Sequence, residues 1–262
     1  TGLANYLLKN QEDACHRGVA IAYDSRNHSR EFADAAAATF RAKGFKVCIF
    51  SRITPTPVLS YAVAALHCCA GIVITASHNP KEYNGYKVYD ETGCQVTDRA
   101  ANGIYAEIQK IDLYQDLHLL SQKSKGLLQE LDESVLQSFV RAVMTQSVLK
   151  DSLAKADLKV RYTPLHGTGR VPVTMALREA GFSSVSIVEE QANEDGDFST
   201  VKTPNPEDRE ALSIGIAQAG SYGDDLVLGT DPDCDRVGVA VLHHGAYQLL
   251  TGNQVGALLI AF

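Results

Sequence analysis

The chain has 262 residues, with 24 basic and 31 acidic side chains and a net charge of -7. That balance argues against a nucleic-acid surface, which would be basic, and leaves room for a locally positive pocket that takes an anionic small molecule. At 45% hydrophobic and 21% charged residues the composition excludes a disordered chain, and the length suggests roughly two domains.

Six cysteines, Cys15, Cys48, Cys68, Cys69, Cys94 and Cys234, form no CxxC pair. With no disulfide pattern and no leader-like segment, a reducing cytoplasmic setting is expected. No apolar run approaches the ~20 residues that span a bilayer, so no membrane partner is expected. Both ends read as cuts in a longer protein, because helical patterns already run at Thr1 to Lys9 and at Asn253 to Phe262.

Gly18 to Asp24 reads as a buried strand, followed by the polar turn Ser25-Arg26-Asn27-His28-Ser29. Ser29 is expected to cap a helix from Arg30 to Lys43 with Phe32, Ala33, Ala36, Ala37 and Phe40 on one face. Lys46 to Phe50 is a strand, and Pro57 suits the first turn of a helix reaching about Leu66. The strand from Ala70 to Thr75 then runs into Ser77-His78-Asn79-Pro80. This βαβαβ order predicts a mainly parallel sheet covered by helices, whose ligands bind beyond the carboxyl ends of the strands. Tyr86 to Val96 reads as a hairpin hanging off that sheet, and Thr97 or Asp98 caps a helix to about Lys110. Residues 111–126 look irregular. Leu127 to Lys150 has helical spacing, and a domain boundary is expected near Asp151.

The alternation then restarts. Strands are expected at Leu158–Thr163, Ser184–Val188, Leu226–Gly229, Val237–Leu242 and Tyr247–Leu250, and helices at Val171–Ala180 and Glu207–Ala219. Two α/β units of similar layout suggest a duplicated domain.

Asp231, Asp233 and Asp235 alternate after the strand Leu226–Gly229. Three crowded carboxylates raise one another's pKa, a penalty that a divalent cation removes. An all-oxygen set favours Mg²⁺ or Mn²⁺ over zinc. An EF-hand is excluded, because Arg236 and Leu242 stand where its glycine and glutamate belong. Arg236 adjoins the cluster and can grip a phosphate. Ser77 needs a base or prior phosphorylation to act as a nucleophile, and His78 and Lys87 are the nearby candidates. A seryl phosphate would give the cation a further oxygen, which links the two loops. Leu165-His166-Gly167-Thr168-Gly169 is either an anion-binding turn or a plain tight turn. Arg26 is either a sheet-end arginine facing the site or a solvated turn residue.

Thr75 to Pro80 with Tyr83-Asn84-Gly85-Tyr86-Lys87 resembles the phosphoserine loop of the α-D-phosphohexomutases. Asp231-Pro232-Asp233-Cys234-Asp235-Arg236 resembles their metal loop, usually written DGDGDR, with Pro232 and Cys234 replacing its glycines. Tyr162 to Gly169 and Asp24-Ser25-Arg26 also match. The wording is most similar to the phosphoglucomutase/phosphomannomutase group, in its phosphopentomutase-like branch.

The resemblance implies an α/β fold of two consecutive three-layer units with mainly parallel mixed sheets. Residues 1–150 would be domain I, 151–246 domain II and 247–262 the start of domain III. It implies a mutase that interconverts sugar 1-phosphate and 6-phosphate, of glucose or mannose, through phosphorylated Ser77 and a sugar 1,6-bisphosphate. Ser77, Asp231, Asp233 and Asp235 would hold one Mg²⁺, and Lys87, His78 and Arg236 would assist the transfer. Arg26, Asn79 and His166 would meet phosphate. The loops that select the sugar and hold its second phosphate are missing, so the chain alone is expected to be inactive. The rival readings are an aspartyl-phosphate phosphatase with Asp231 as nucleophile, and a non-catalytic sugar-phosphate-binding module.

Overall fold

A computed structural model describes residues 1–112, 125–148 and 157–262. In the first sheet β1 (Val19–Tyr23) lies between β2 (Val47–Phe50) and β3 (Ala70–Ile74), all parallel. β4 (Tyr86–Tyr89) pairs antiparallel with β3, and β5 (Leu128–Leu131) pairs parallel with β2, giving the order β4-β3-β1-β2-β5. Every residue of β1, β2 and β3 is buried, as expected of parallel strands covered on both faces. Leu3, Ala4 and Leu7 of helix α1 (Gly2–Asn10) and Ala33, Ala37 and Phe40 of α3 (Ser29–Ala42) pack with Val19, Ile21 and Ile72 on one face. A short helix α2 (Ala14–Arg17) separates α1 from β1. Helix α4 (Thr56–Ala65) covers the other face, where its Leu59 and Val63 close on Gly71. Helix α5 (Asp98–Ile108) packs beside α1.

Helix α6 (Glu133–Thr145) leads towards the second sheet. There β6 (Lys159–Thr163) lies between β7 (Ser184–Ile187) and β8 (Leu226–Thr230), all parallel. β9 (Val237–His243) pairs antiparallel with β8, and β10 (Ala246–Leu250) with β9. Helices α7 (Arg170–Glu179) and α8 (Ser213–Tyr222) are the crossovers, and α9 (Gly252–Ala261) follows, capped by Thr251. The order β9-β8-β6-β7 repeats β4-β3-β1-β2 strand for strand, so both sheets share one topology with a different extra strand on each. No helix among the described residues is long and apolar enough to cross a membrane.

The described residues form two compact units. One comprises Thr1–Tyr23, His28–Thr75 and Gly85–Val135, and the other Asp24–Asn27, Ala76–Asn84 and Leu136–Phe262. The loops after β1 and β3 therefore belong to the second unit although their strands belong to the first.

Several expectations need revision. Residues 127–131 are a strand's approach and β5, not the first turns of a long helix. Asp132 Oδ1 accepts the Ser134 amide at 2.9 Å, a side-chain turn that starts α6 at Glu133. The leucines there fit a helical period, but pairing with β2 overrides it. Ser29 lies inside α3. The preceding His28 takes φ 65° and no side chain caps the helix, while Phe32 is exposed. The 86–96 segment is a hairpin whose first arm is an integral sheet strand, with one bridge, Tyr89 to Gln95, closing it. Residues 207–212 are turns, and the helix begins at Ser213. The irregular stretch is described only at its edges. The boundary near Asp151 and the helix end at Lys150 lie outside the described residues.

A buried charge pair stiffens the second sheet at a distance from its carboxyl ends. Arg161 of β6 donates to Asp224 Oδ2 from Nε at 2.7 Å, and its Nη2 lies 2.6 Å from the same oxygen. The guanidinium lies over the Tyr222 ring, and Tyr247 donates its hydroxyl to the Asp224 carbonyl. Asp224→Ala would strand a buried cation, and the urea-unfolding midpoint is expected to report a loss of about 3–5 kcal/mol.

Candidate active site

The loops after β1 and β3 of the first sheet, and after β6 and β8 of the second, occupy the places where the strand order reverses. In open α/β sheets ligands bind in the crevice at such switch points.

Ser77 sits on the loop after β3 in the left-handed region, φ 54°, and is 9% exposed. Arg26 holds the loop in that shape. Its Nη1 donates to the carbonyls of Pro80 at 2.8 Å and Tyr83 at 3.0 Å, and its Nη2 to those of Ser77 at 2.6 Å and Asn79 at 2.5 Å. Nε lies 3.3 Å from Asp24 Oδ2, too poorly aligned for a hydrogen bond but a close charge contact between two side chains with no exposure. Asp24 Oδ1 accepts the Arg26 amide at 3.0 Å. The Phe198 ring covers the guanidinium, 5.1 Å from its centroid.

Asp231 and Asp233 are fully buried. They and exposed Asp235 each offer a carboxylate oxygen within 4.8 Å of the others. Asp231 Oδ1 accepts the amides of Asp235 at 3.1 Å and Arg236 at 3.0 Å, which wraps the loop around it. Its other oxygen, Oδ2, accepts the Ser77 hydroxyl at 2.8 Å. Burial, and then the charges of Asp233 and Asp235, push the Asp231 carboxyl up to about 8. This donor set fits a hard divalent cation, which would relieve that repulsion with oxygen ligands alone.

The Asp231–Asp235 loop rests on the turn after β6. A β-carbon at Gly167 would stand 2.4 Å from Pro232 Cα, and one at Gly169 would stand 2.2 Å from the Tyr162 hydroxyl. Thr168 donates its amide to the Pro232 carbonyl at 2.9 Å. These glycines thus let two loops approach, which is the tight-turn reading with a purpose.

The remaining expected residues divide. His78 Nδ1 lies 3.4 Å from Ser77 Oγ, and burial, followed by the nearby Arg236 charge, lowers its pKa, so the ring is neutral near pH 7. Arg236 is exposed beside the carboxylates, and Asn79 is exposed with its carbonyl on Arg26. Lys87 lies on β4 opposite Val73, in the first unit. Arg26 and His166, expected to meet phosphate, turn their polar atoms to protein partners here. All four terminal N–H groups of Arg26 are committed to carbonyls. His166 is 4% exposed, with Nδ1 2.9 Å from the Asn193 carbonyl and Nε2 2.8 Å from Thr200 Oγ1. Both shape loops.

Sequence reasoning missed Phe198, which caps Arg26 from φ 48°, and buried Gln191. Gln191 accepts from Thr163 Oγ1 at 2.7 Å and donates to Thr200 Oγ1 at 3.1 Å, tying the 191–206 loop beneath the site. An aromatic among Asp, Asn and Pro was the one available signal.

The family described as phosphoglucomutase/phosphomannomutase, alpha/beta/alpha domain I, matches residues 1–115, and its domain II matches residues 137–245. The chain belongs to the phosphoglucomutase/phosphomannomutase family. It is 39% identical over 266 residues to a phosphoglucomutase of Staphylococcus haemolyticus, covering 100% of this chain and 47% of that protein. It is 41% identical over 271 residues to a probable phosphoribomutase of Schizosaccharomyces pombe, covering 100% of this chain and 45% of that one. A putative phosphomannomutase from Thermus thermophilus superimposes with a TM-score of 0.78 at 26% identity, over 94% of this chain and 52% of that structure. The chain therefore spans about half the length of the family members it matches.

The buried carboxylate has a pH signature in the chain kept free of metal. The unfolded Asp231 ionises near 3.8 and the folded one near 8. Below the first value both states are protonated, and between the two the folded state holds an extra proton. Its contribution to stability therefore falls as pH rises through that window, and the full penalty stands above about 8. Urea midpoints measured in chelator should decline across it, and Asp231→Asn should flatten the slope. Added Mg²⁺ should raise the wild-type midpoint more above the window than within it.

Proposed function

We propose that this chain carries the phosphoryl donor and the metal ligands of a cytoplasmic phosphosugar mutase acting on glucose or mannose phosphate. The observation that carries the reading is the 2.8 Å hydrogen bond from Ser77 Oγ to Asp231 Oδ2, beside two further carboxylates. Ser77, Asp231, Asp233 and Asp235 would hold one Mg²⁺, which when bound neutralises charge on the transferring phosphoryl group. The domain reading is I for residues 1–150 and II for 151–246, with III opening at 247; β10 of that last stretch is paired into the second sheet.

In the first transfer the bond between phosphorus and Ser77 Oγ breaks as a sugar hydroxyl oxygen bonds to phosphorus in line. The hydroxyl proton passes to a base, for which Lys87 is proposed. The sugar 1,6-bisphosphate reorients. Ser77 Oγ then takes its other phosphoryl group, and the proton returns from Lys87 to the sugar oxygen released. His78, neutral and adjacent, and Arg236 would steady the phosphoryl oxygens.

The names of the relatives extend the candidate substrates to pentose phosphates. Turnover of glucose, mannose and ribose 1-phosphates by the full-length protein would rank them. The chain alone is expected to turn over little, since its relatives are about twice as long.

Intact-mass measurement of protein from its native host should show one phosphoryl group, mapped to the Ser77 peptide and absent from Ser77→Ala. Phosphorylation of the alanine variant to the same extent would sink the assignment. Full phosphatase activity in that variant would favour Asp231 as an aspartyl nucleophile. Failure to bind Mg²⁺ would favour a non-catalytic sugar-phosphate-binding module.

A further inference from the structure

We infer that the first unit carries a second anion site, at the amino ends of its parallel strands, shaped to take a small phosphate ester. A cavity of about 550 Å³ opens there, lined among others by His16, Arg17, Lys46, His67, Lys125 and Gln129. These residues come from the segments that enter β1, β2 and β3 and from β5. The Ser77 loop leaves the opposite end of β3, roughly 17 Å of strand away. The cavity lies within the size range of small-ligand sites.

Its charge is unlike that of the chain. Five of the lining residues are lysine, arginine or histidine and none is a carboxylate, in a protein of net charge -7. Arg17 is fixed in place. Nε donates to the His67 carbonyl at 3.1 Å, Nη2 to the Cys68 carbonyl at 3.2 Å, and Nη1 to Glu91 at 2.7 Å, which offsets part of its charge. Lys46 and Lys125 make no ion pair among the described residues. Lys46 is half-buried. Lys125 is exposed. Half-buried Lys46 and exposed Lys125 line the same cavity, and an anion bound beside them would offset their like charge. A phosphoryl group supplies the charge, and the volume left over suits the organic part of an ester. The site is independent of phosphorylated Ser77 and its metal.

The test is calorimetric titration of inorganic phosphate into the chain in chelator, with Lys46→Gln and Lys125→Glu as variants and near-ultraviolet dichroism as the control for folding. Saturable binding is expected, weakened roughly tenfold or more by either change. Amide shifts should gather at Gly44, Gly126 and His67. If Lys46→Gln disturbs the fold, the exposed Lys125→Glu still decides. Absence of saturable binding, equal displacement by chloride at the same ionic strength, indifference to both variants, or shifts confined to the Ser77 and Asp231 loops would each overturn the inference.

Discussion

Ser77→Ala in the full-length enzyme is expected to lower mutase turnover by roughly four to six orders of magnitude, the scale on which covalent nucleophiles act. The serine oxygen has two tasks in the proposed cycle, releasing a phosphoryl group and then receiving one, so its loss leaves no carrier for either transfer. Little structural damage should accompany it. Ser77 Oγ donates one hydrogen bond, to Asp231, and the loop's shape is held through carbonyls by Arg26. A stopped assay of sugar 1-phosphate conversion, with the thermal midpoint measured alongside, checks both halves of the claim. Asp233→Asn should cost less, roughly a hundredfold to a thousandfold, because the serine survives while the cation loses a charged ligand. A Ser77→Ala variant within tenfold of wild type would exclude the phosphoserine cycle.

Arg26→Ala is expected to cause the largest loss of stability near the site, about 3–5 kcal/mol by urea unfolding. The change leaves four carbonyl groups of the Ser77 loop without their donor and removes the cation beside buried Asp24. Ser77 itself has φ 54°, a conformation costly for a residue with a β-carbon and sustained here by those bonds. Arg26→Lys should recover only part of the loss, since one ammonium cannot span four acceptors as a planar guanidinium does. Amide exchange across residues 77–83 should accelerate in both variants, and more in the alanine one. An exchange pattern matching wild type would show that the loop keeps its shape without the clamp.

The alternating strands and helices were readable because buried parallel strands are short apolar runs, because Gly44, Gly181 and Gly223 stop the crossover helices α3, α7 and α8, and because Pro57 opens α4. The carboxylates were readable because Asp231, Asp233 and Asp235 are adjacent in sequence. Arg26 was legible as a sheet-end arginine but not as a clamp, because its acceptors are main-chain atoms of a loop more than fifty residues away, and carbonyls leave no mark in a sequence. His166 was read towards a ligand for the same reason: its partners, the Asn193 carbonyl and Thr200 Oγ1, lie on a long loop without a periodic pattern. The β5 error at Leu128 to Leu131 has another source. The leucines at 127, 128 and 131 fit a helical period, whereas β5 exposes Leu128, Gln129 and Glu130 and buries Leu131 alone, so it carries no alternation and only pairing with β2 decides.

The seat of the Asp231–Asp235 loop on Gly167 also fixes what position 167 can become. A β-carbon there would meet main-chain atoms of residue 232, its Cα at 2.4 Å and its carbonyl oxygen at 2.6 Å, which every amino acid carries. The restriction therefore falls on 167 alone and does not depend on the side chain at 232. Libraries randomised at 167 should return glycine almost exclusively, and the same library built on Pro232→Gly should return the same answer.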